Sequence, residues 1–208
     1  MDSVQIARQN IFGAAWLGAP VATEILARDP AFQGNKEWDI ALLSNVDRIY
    51  TGTPLHINVY PATFGRLNTM EAQMPISGMK DKVVFEILEG GINGHLPDIL
   101  TFAAKGYRLA LDDFGALESN YDLLCHLPPK LLPIIKIDMN LLHHFTASHV
   151  MSLCCELRRC GYLVYLEGVE NLEHLLADVD GYQGYLFHHP ATEILLLKIP
   201  SSQEVAHA

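Results

Sequence analysis

Eight short apolar runs, helical periodicity between most of them, and a length suited to one core predict an α/β fold closed as a (β/α)8 barrel. The chain has 208 residues, half of them hydrophobic, which fits one domain spanning 1–208 rather than two. Apolar, β-branched runs recur at Leu55–Val59, Val83–Ile87, Arg108–Leu111, Ile134–Ile137 and Leu163–Leu166. Helical patterns lie between them at Ile92–Lys105 and Ser148–Cys160, with Gly106 and Gly161 placed where a helix C-cap belongs. A further helix is expected over Asn171–Ala177. Two more strands are expected at Gln9–Phe12 and Val21–Leu26, joined by a turn around residues 13–18, and a last one at Tyr182–Phe187. With no long linker or low-complexity tract, this order favours a closed barrel over an open sheet.

Lys and Arg total 14 against 24 Asp and Glu, a formal charge of −10, which argues against polymeric nucleic acid as a partner because phosphate neutralisation needs clustered cations. No run approaches 18 uncharged apolar residues, and the start of the chain, with Asp2 and Gln5, does not read as a signal peptide. The expectation is a soluble, cytoplasmic protein with no membrane insertion. Cys125, Cys154, Cys155 and Cys160 have neither disulfide-framework nor zinc-ligand spacing and read as plain buried thiols. Adjacent histidines, His143-His144 and His188-His189, point in different directions on any one element and read as surface residues rather than ligands.

In a barrel of this kind the chemistry sits at the C-terminal ends of the strands. Polar residues close five successive runs: Asn58, Glu86, Asp112 with Asp113, Lys136, and Glu167. The intervals between Asn58, Glu86, Asp112, Lys136 and Glu167 are 28, 26, 24 and 31 residues, each about one βα unit, so these groups should converge on one mouth. A lone carboxylate is usually a solvated surface group, but five strands ending this way make an all-oxygen environment suited to hard cations such as Mg2+ or Mn2+. Adjacent aspartates let one carboxylate bridge two ions while the other binds the second, an arrangement for in-line displacement at phosphorus. The reaction class suggested is phosphoester hydrolysis, with Lys136 orienting the attacking water and stabilising charge on the phosphate.

Asp112-Asp113-Phe114-Gly115, Lys136-Ile137-Asp138, Glu167-Gly168-Val169-Glu170 and Gln183-Gly184-Tyr185-Leu186-Phe187, in this order, resemble motifs of the EAL family of cyclic di-GMP phosphodiesterases. Asp112-Asp113-Phe114-Gly115 is similar to the family's DDFG, Lys136-Ile137-Asp138 to its KID, and Glu167-Gly168-Val169-Glu170 to its EGVE. Gln183 to Phe187, followed by Pro190, resembles the closing QGYLF segment, His56-Ile57-Asn58 the strand bearing the family asparagine, and Glu86 to Glu89 the EITE segment. Glu24-Ile25-Leu26-Ala27-Arg28 stands where EALLR is expected, and Gln9-Asn10-Ile11 near where the family has QPI. The resemblance implies a TIM-like barrel with its first strand antiparallel, two Mg2+ or Mn2+ ions, and hydrolysis of cyclic di-GMP to linear pGpG. It implies that Glu24, Asn58, Glu86 and Asp112 hold one ion and Asp112, Asp113 and Glu167 the other. Lys136 would contact the nucleophilic water, Leu26, Arg28 and Gln183 would serve substrate binding, and Glu89 would brace the loop after the aspartate pair.

The chain also departs from the pattern. After DDFG it continues Ala116-Leu117-Glu118-Ser119-Asn120 in place of a TGYSS-like loop that links metal binding to dimerisation, so the loop loses the conformational freedom of a glycine. Nine residues separate Arg28 from Trp38 where a longer loop and helix are usual, which would leave Ile40, Leu42 and Leu43 as an apolar surface for a second subunit or a partner protein. These departures support an alternative: a catalytically inactive module that binds cyclic di-GMP or a regulatory protein. A barrel enzyme acting on another phosphate ester is the third reading. A homodimer is expected because family members commonly dimerise.

Overall fold

Strand β1 (Ile6–Gly13) and strand β2 (Trp16–Ala27) form the hairpin that opens the sheet, paired antiparallel and turning at Ala14 and Ala15. In this computed structural model residues 6–27, 36–87, 92–115, 121–175 and 178–190 are described. The chain then runs through β3 (Leu55–Val59), β4 (Val83–Ile87), β5 (Arg108–Phe114), β6 (Ile134–Asp138), β7 (Leu163–Glu167) and β8 (Gly181–Tyr182). Each of these is parallel to its predecessor from β2 onward, and β8 closes the barrel by pairing antiparallel with β1. The first strand is therefore the antiparallel one, as expected.

Among the described residues six helices accompany the strands: α1 (Lys36–Leu43), α2 (Val46–Ile49), α3 (Phe64–Met70), α4 (Ile92–Ala104), α5 (Tyr121–His126) and α6 (Ala147–Arg159). Two of them end as their sequences predict, because Gly106 and Gly161 take φ of +89° and +98°, values that side chains disfavour. Helix α6 starts on Thr146, whose hydroxyl accepts from the His149 amide. Strand alternation puts one face of each strand against the helices, where Phe85 packs edge-on against Phe102 at 4.9 Å and Phe102 stacks on Tyr107 at 4.2 Å. The other face fills the barrel: Val84, Ala110 and Ile134 form a small buried cluster with Tyr165 against it. Polar groups occupy the layer above, so the apolar layer is the floor on which the site stands.

Four sequence expectations are corrected. The last strand is Gly181–Tyr182 rather than Tyr182–Phe187, since the Gln183 amide makes a last bond to Leu166 of β7 and the backbone then turns to bond with Val169 and within itself. The helix expected over Asn171–Ala177 is, within the described residues, a single 3-10 turn at Leu172–His174 started by the Asn171 side chain. Ile40, Leu42 and Leu43 are buried, because α1 lays them on the barrel and removes the apolar surface expected there. Of the four cysteines only Cys154 is buried; Cys125 and Cys160 are exposed and Cys155 is intermediate.

Candidate active site

Strand ends bring the predicted polar residues together. On β3 and β4, Asn58 and Glu86 are directly paired in register, and Glu24 of β2 sits one strand over, beside His56. Asp138 and Glu167 pair across β6 and β7. Adjacent residues on a regular strand point to opposite faces, so Asp112 and Asp113 would diverge. They do not, because β5 shifts register against β6 between Leu111 and Phe114, and Asp113 takes a φ of +52°. A bulge of this kind re-aims side chains and is common beside active sites. One oxygen from each of Asp112, Asp113 and Glu167 lies within 4.8 Å of the others.

Lys136 holds the centre. It is completely buried, and its Nζ lies 2.5 Å from Glu167 Oε1, 2.7 Å from Glu86 Oε1, 3.1 Å from Asp112 Oδ1 and 3.3 Å from Glu24 Oε2. Burial pulls the ammonium down, but Asp112, Glu167, Glu24 and Glu86 outweigh it and hold Lys136 well above the usual lysine range. Burial pushes Glu86 well above the usual carboxylate range, with Glu24 and Asp112 adding to it against the pull of Lys136. Glu167 is raised in the same way, by burial first and then by Asp112. One cation among so many anions leaves the cluster short of positive charge.

Glu24 is fixed on both oxygens: Asn58 Nδ2 donates to Oε1 at 2.7 Å, and Gln183 Nε2 and Lys136 donate to Oε2. Gln183 also donates to Gln9 Oε1 at 3.1 Å, tying the closing segment to β1. Among the described residues of the site, the buried oxygens Asn58 Oδ1, Glu86 Oε2 and Gln183 Oε1 have no hydrogen-bond donor. Buried acceptors are seldom left so. Unpartnered oxygens among crowded carboxylates fit a hard divalent cation, so the residues present suit the Mg2+ or Mn2+ that the sequence implies.

At the cluster a cleft of about 560 Å3 opens, lined also by Leu26, Trp38, Asp39, Asp113, Glu170 and Tyr185. Of the predicted substrate-binding residues, Leu26 and Gln183 face this cleft. Arg28 and Glu89 lie outside the described residues. Gly184 is required below it: a Cβ there would lie 2.2 Å from the Val169 carbonyl oxygen, since residues 183–186 clasp Val169 through Val169 N to Gln183 O and Leu186 N to Val169 O. The EGVE-like and QGYLF-like segments are thus one packed unit.

Sequence reasoning assigned no role to three polar residues here. Gln9 supports Gln183. His56, buried, approaches Glu86 Oε1 with Nδ1 at 2.6 Å. Period-two alternation would have found it, since it lies two residues before Asn58 and so shares that residue's face. Asp39 of α1 accepts at Oδ2 from the Thr63 hydroxyl (2.6 Å) and the Tyr60 amide (3.0 Å), and burial lifts its carboxyl to about 6 against those two bonds. Nothing local in the sequence marks Asp39 out from an ordinary acid in the first turn of a helix.

The cyclic di-GMP phosphodiesterase RocR of Pseudomonas aeruginosa is 28% identical over 165 residues, covering 68% of this chain and 40% of RocR. The chain therefore spans less than half of that relative. Among solved structures, BlrP1 of Klebsiella pneumoniae in a complex with calcium and cyclic di-GMP superposes with a TM-score of 0.72 at 24% identity, over 93% of this chain and 58% of BlrP1. The Bacillus subtilis YkuI protein, with an EAL domain and solved with substrate cyclic di-GMP and calcium, gives 0.70 at 20% identity over 97% of this chain and 59% of its own. An EAL domain protein of Listeria monocytogenes gives 0.70 at 19% identity and is itself covered to 94%. The sequence pattern of the EAL domain matches residues 39–190, most of the chain, and this protein belongs to the EAL domain family.

Proposed function

We propose that the chain hydrolyses cyclic di-GMP to linear pGpG, using two divalent cations. The observation that carries this reading is the convergence of Glu24, Asn58, Glu86, Asp112, Asp113 and Glu167 around one buried lysine at the floor of an open cleft. Glu24, Asn58, Glu86 and Asp112 would hold one ion, and Asp112, Asp113 and Glu167 the other. Mg2+ or Mn2+, when bound, supplies Lewis acidity at the phosphate and lowers the pKa of a water molecule.

The remaining steps belong to the protein. Lys136, kept protonated by its four carboxylate neighbours, offers N–H donors to the attacking water and positive charge to the phosphate as its negative charge grows. Glu167, at 2.5 Å from that ammonium, orients it. Gln183 and Asn58 fix Glu24 from opposite sides. By the resemblance to the EAL family, Leu26 and Arg28 would serve substrate binding and Glu89 would act on the segment after Asp113. Water loses a proton as it adds to phosphorus, the bond to the 3′ oxygen breaks and that oxygen takes up a proton to become a hydroxyl, and the opened dinucleotide is pGpG.

Purified chain mixed with cyclic di-GMP and Mg2+ or Mn2+ is expected to release pGpG on chromatography. Glu24→Ala and Lys136→Ala are expected to lower the rate at least about a hundredfold. Binding without turnover by folded, metal-loaded protein would overturn hydrolysis. That result would favour the second reading, a cyclic di-GMP or regulatory-protein binding module, which the residues Ala116 to Asn120 after the aspartate pair support.

A further inference from the structure

We propose that His56 is a positioning residue for the metal site, orienting the Glu86 carboxylate so that one oxygen is held by the protein and the other is left for a divalent cation. The inference rests on the metal-dependent reading above. It starts from alternation along β3: Leu55, Ile57 and Val59 face the helices, while His56 and Asn58 face the barrel interior. His56 therefore sits one layer beneath Asn58, and its ring lies 6.1 Å from that of Tyr165 in the barrel's lower layer. An imidazole at this depth needs a polar partner, and it has one in Glu86 Oε1 at 2.6 Å.

The bonds to Glu86 are asymmetric. Oε1 receives both His56 Nδ1 and Lys136 Nζ, at 2.6 and 2.7 Å, whereas Oε2 is buried with no donor. The terminal torsion of a glutamate is soft, so a carboxylate with one fixed contact still rotates and exchanges its oxygens. Two donors from different strands, β3 and β6, on one oxygen stop that rotation. Glu86 Oε1 already accepts from Lys136 Nζ, and its 2.6 Å approach to His56 Nδ1 assigns the ring's proton to that nitrogen. Groups that hydrogen-bond a metal ligand from outside commonly set metal affinity as strongly as a ligand's own orientation does. His56 meets that description through Glu86 without facing the cleft itself.

The test compares Mn2+ binding, read from the spin-resonance signal of the free ion, in the parent chain and two variants. His56→Leu fills the space without a donor, while the amide nitrogen of His56→Asn falls near the place of Nδ1. The Leu variant is expected to bind Mn2+ about 10- to 100-fold more weakly, and the Asn variant to recover most of that loss. A folded Leu variant that binds like the parent, or an Asn variant as weak as the Leu one, overturns the inference alone. A parent that binds no Mn2+ overturns the metal-dependent reading and this inference with it. Should the Leu variant not fold, nitrogen-15 spectra of the parent's histidines decide. An Nδ1–H tautomer at His56 whose signals move on adding Mg2+ supports the role; an Nε2–H tautomer, or signals unmoved at saturating Mg2+, overturns it.

Discussion

Asp39 gives the protein a pH-dependent stability that can be worked out from its surroundings. Its carboxyl, buried where α1 meets the turn after β3, rises from 3.8 to about 6, with burial as the first cause and the bonds from Thr63 and Tyr60 opposing it. A raised folded-state pKa means that the folded chain binds more protons than the unfolded chain between these values. The stabilisation is therefore complete below pH 3.8, is lost as pH rises through about 6, and is absent above it. That span corresponds to about 3 kcal/mol. Asp39→Asn keeps an oxygen for the Tyr60 amide and the Thr63 hydroxyl but has no proton to lose. Urea unfolding of parent and variant across pH 3.5 to 7.5 is the assay, and only the difference between them matters, because the other acids cancel. The variant is expected to gain about 3 kcal/mol relative to the parent between the acid and neutral ends. A difference that stays flat with pH, or that grows toward acid, would refute the reasoning.

Further predictions concern the centre of the site and its closing segment. Lys136→Met should cost on the order of 3–5 kcal/mol in metal-free protein, because four carboxylates lose their shared cation, and Mg2+ should restore more thermal stability to it than to the parent. Equal melting temperatures of variant and parent without metal would count against the pairing. Gly184→Ala, which drives a Cβ to 2.2 Å from the Val169 carbonyl oxygen at a φ of +155°, should lower stability by about 3 kcal/mol or more in urea unfolding. A shift of under about 0.5 kcal/mol would mean that the clasp gives way cheaply. A homodimer is expected in light scattering, and a mass of one 23.1 kDa chain would sink it.

Much of the barrel was legible because its strands are short apolar runs that close on polar residues. The bounds Leu55–Val59 and Val83–Ile87 are those expected, while β5 to β7 run one to three residues further. That difference has one cause: polar residues that look like strand ends from composition are still strand residues, since the barrel pairs Asp138 with Glu167. Tyr185 and Phe187 look like strand residues by type, yet Gly184 and the clasp on Val169 take their backbone out of the sheet. Helix α1 was missed because the segment reads as a leftover of a deletion, although its Trp38, Ile40, Leu42 and Leu43 are core. Of the site, Asn58, Glu86, Asp112, Asp113, Lys136 and Glu167 were visible from strand-end spacing, whereas Glu24 came only from the resemblance to the EAL family. The bonds among them were not, since Gln183 to Glu24 and His56 to Glu86 join residues 159 and 30 positions apart.

On the proposed two-ion reading, charge is the reason the site would take two cations rather than one. With every carboxyl ionised, Glu24, Glu86, Asp112, Asp113 and Glu167 carry five negative charges and Lys136 returns one, leaving four, the charge of two divalent ions. The donors also divide in space: Glu24, Asn58 and Glu86 come from β2 to β4, Asp113 and Glu167 from β5 and β7, and Asp112 stands between the groups. The bulge in β5 is what gives the second group its Asp113, because a regular strand would turn that carboxylate outward. Asp113→Asn removes one unit of charge from the second group and leaves the first untouched. The parent should therefore bind two Mn2+ per chain and the variant one, as read by titration calorimetry. Two ions retained, or both lost, would show that the two groups do not act as separate sites.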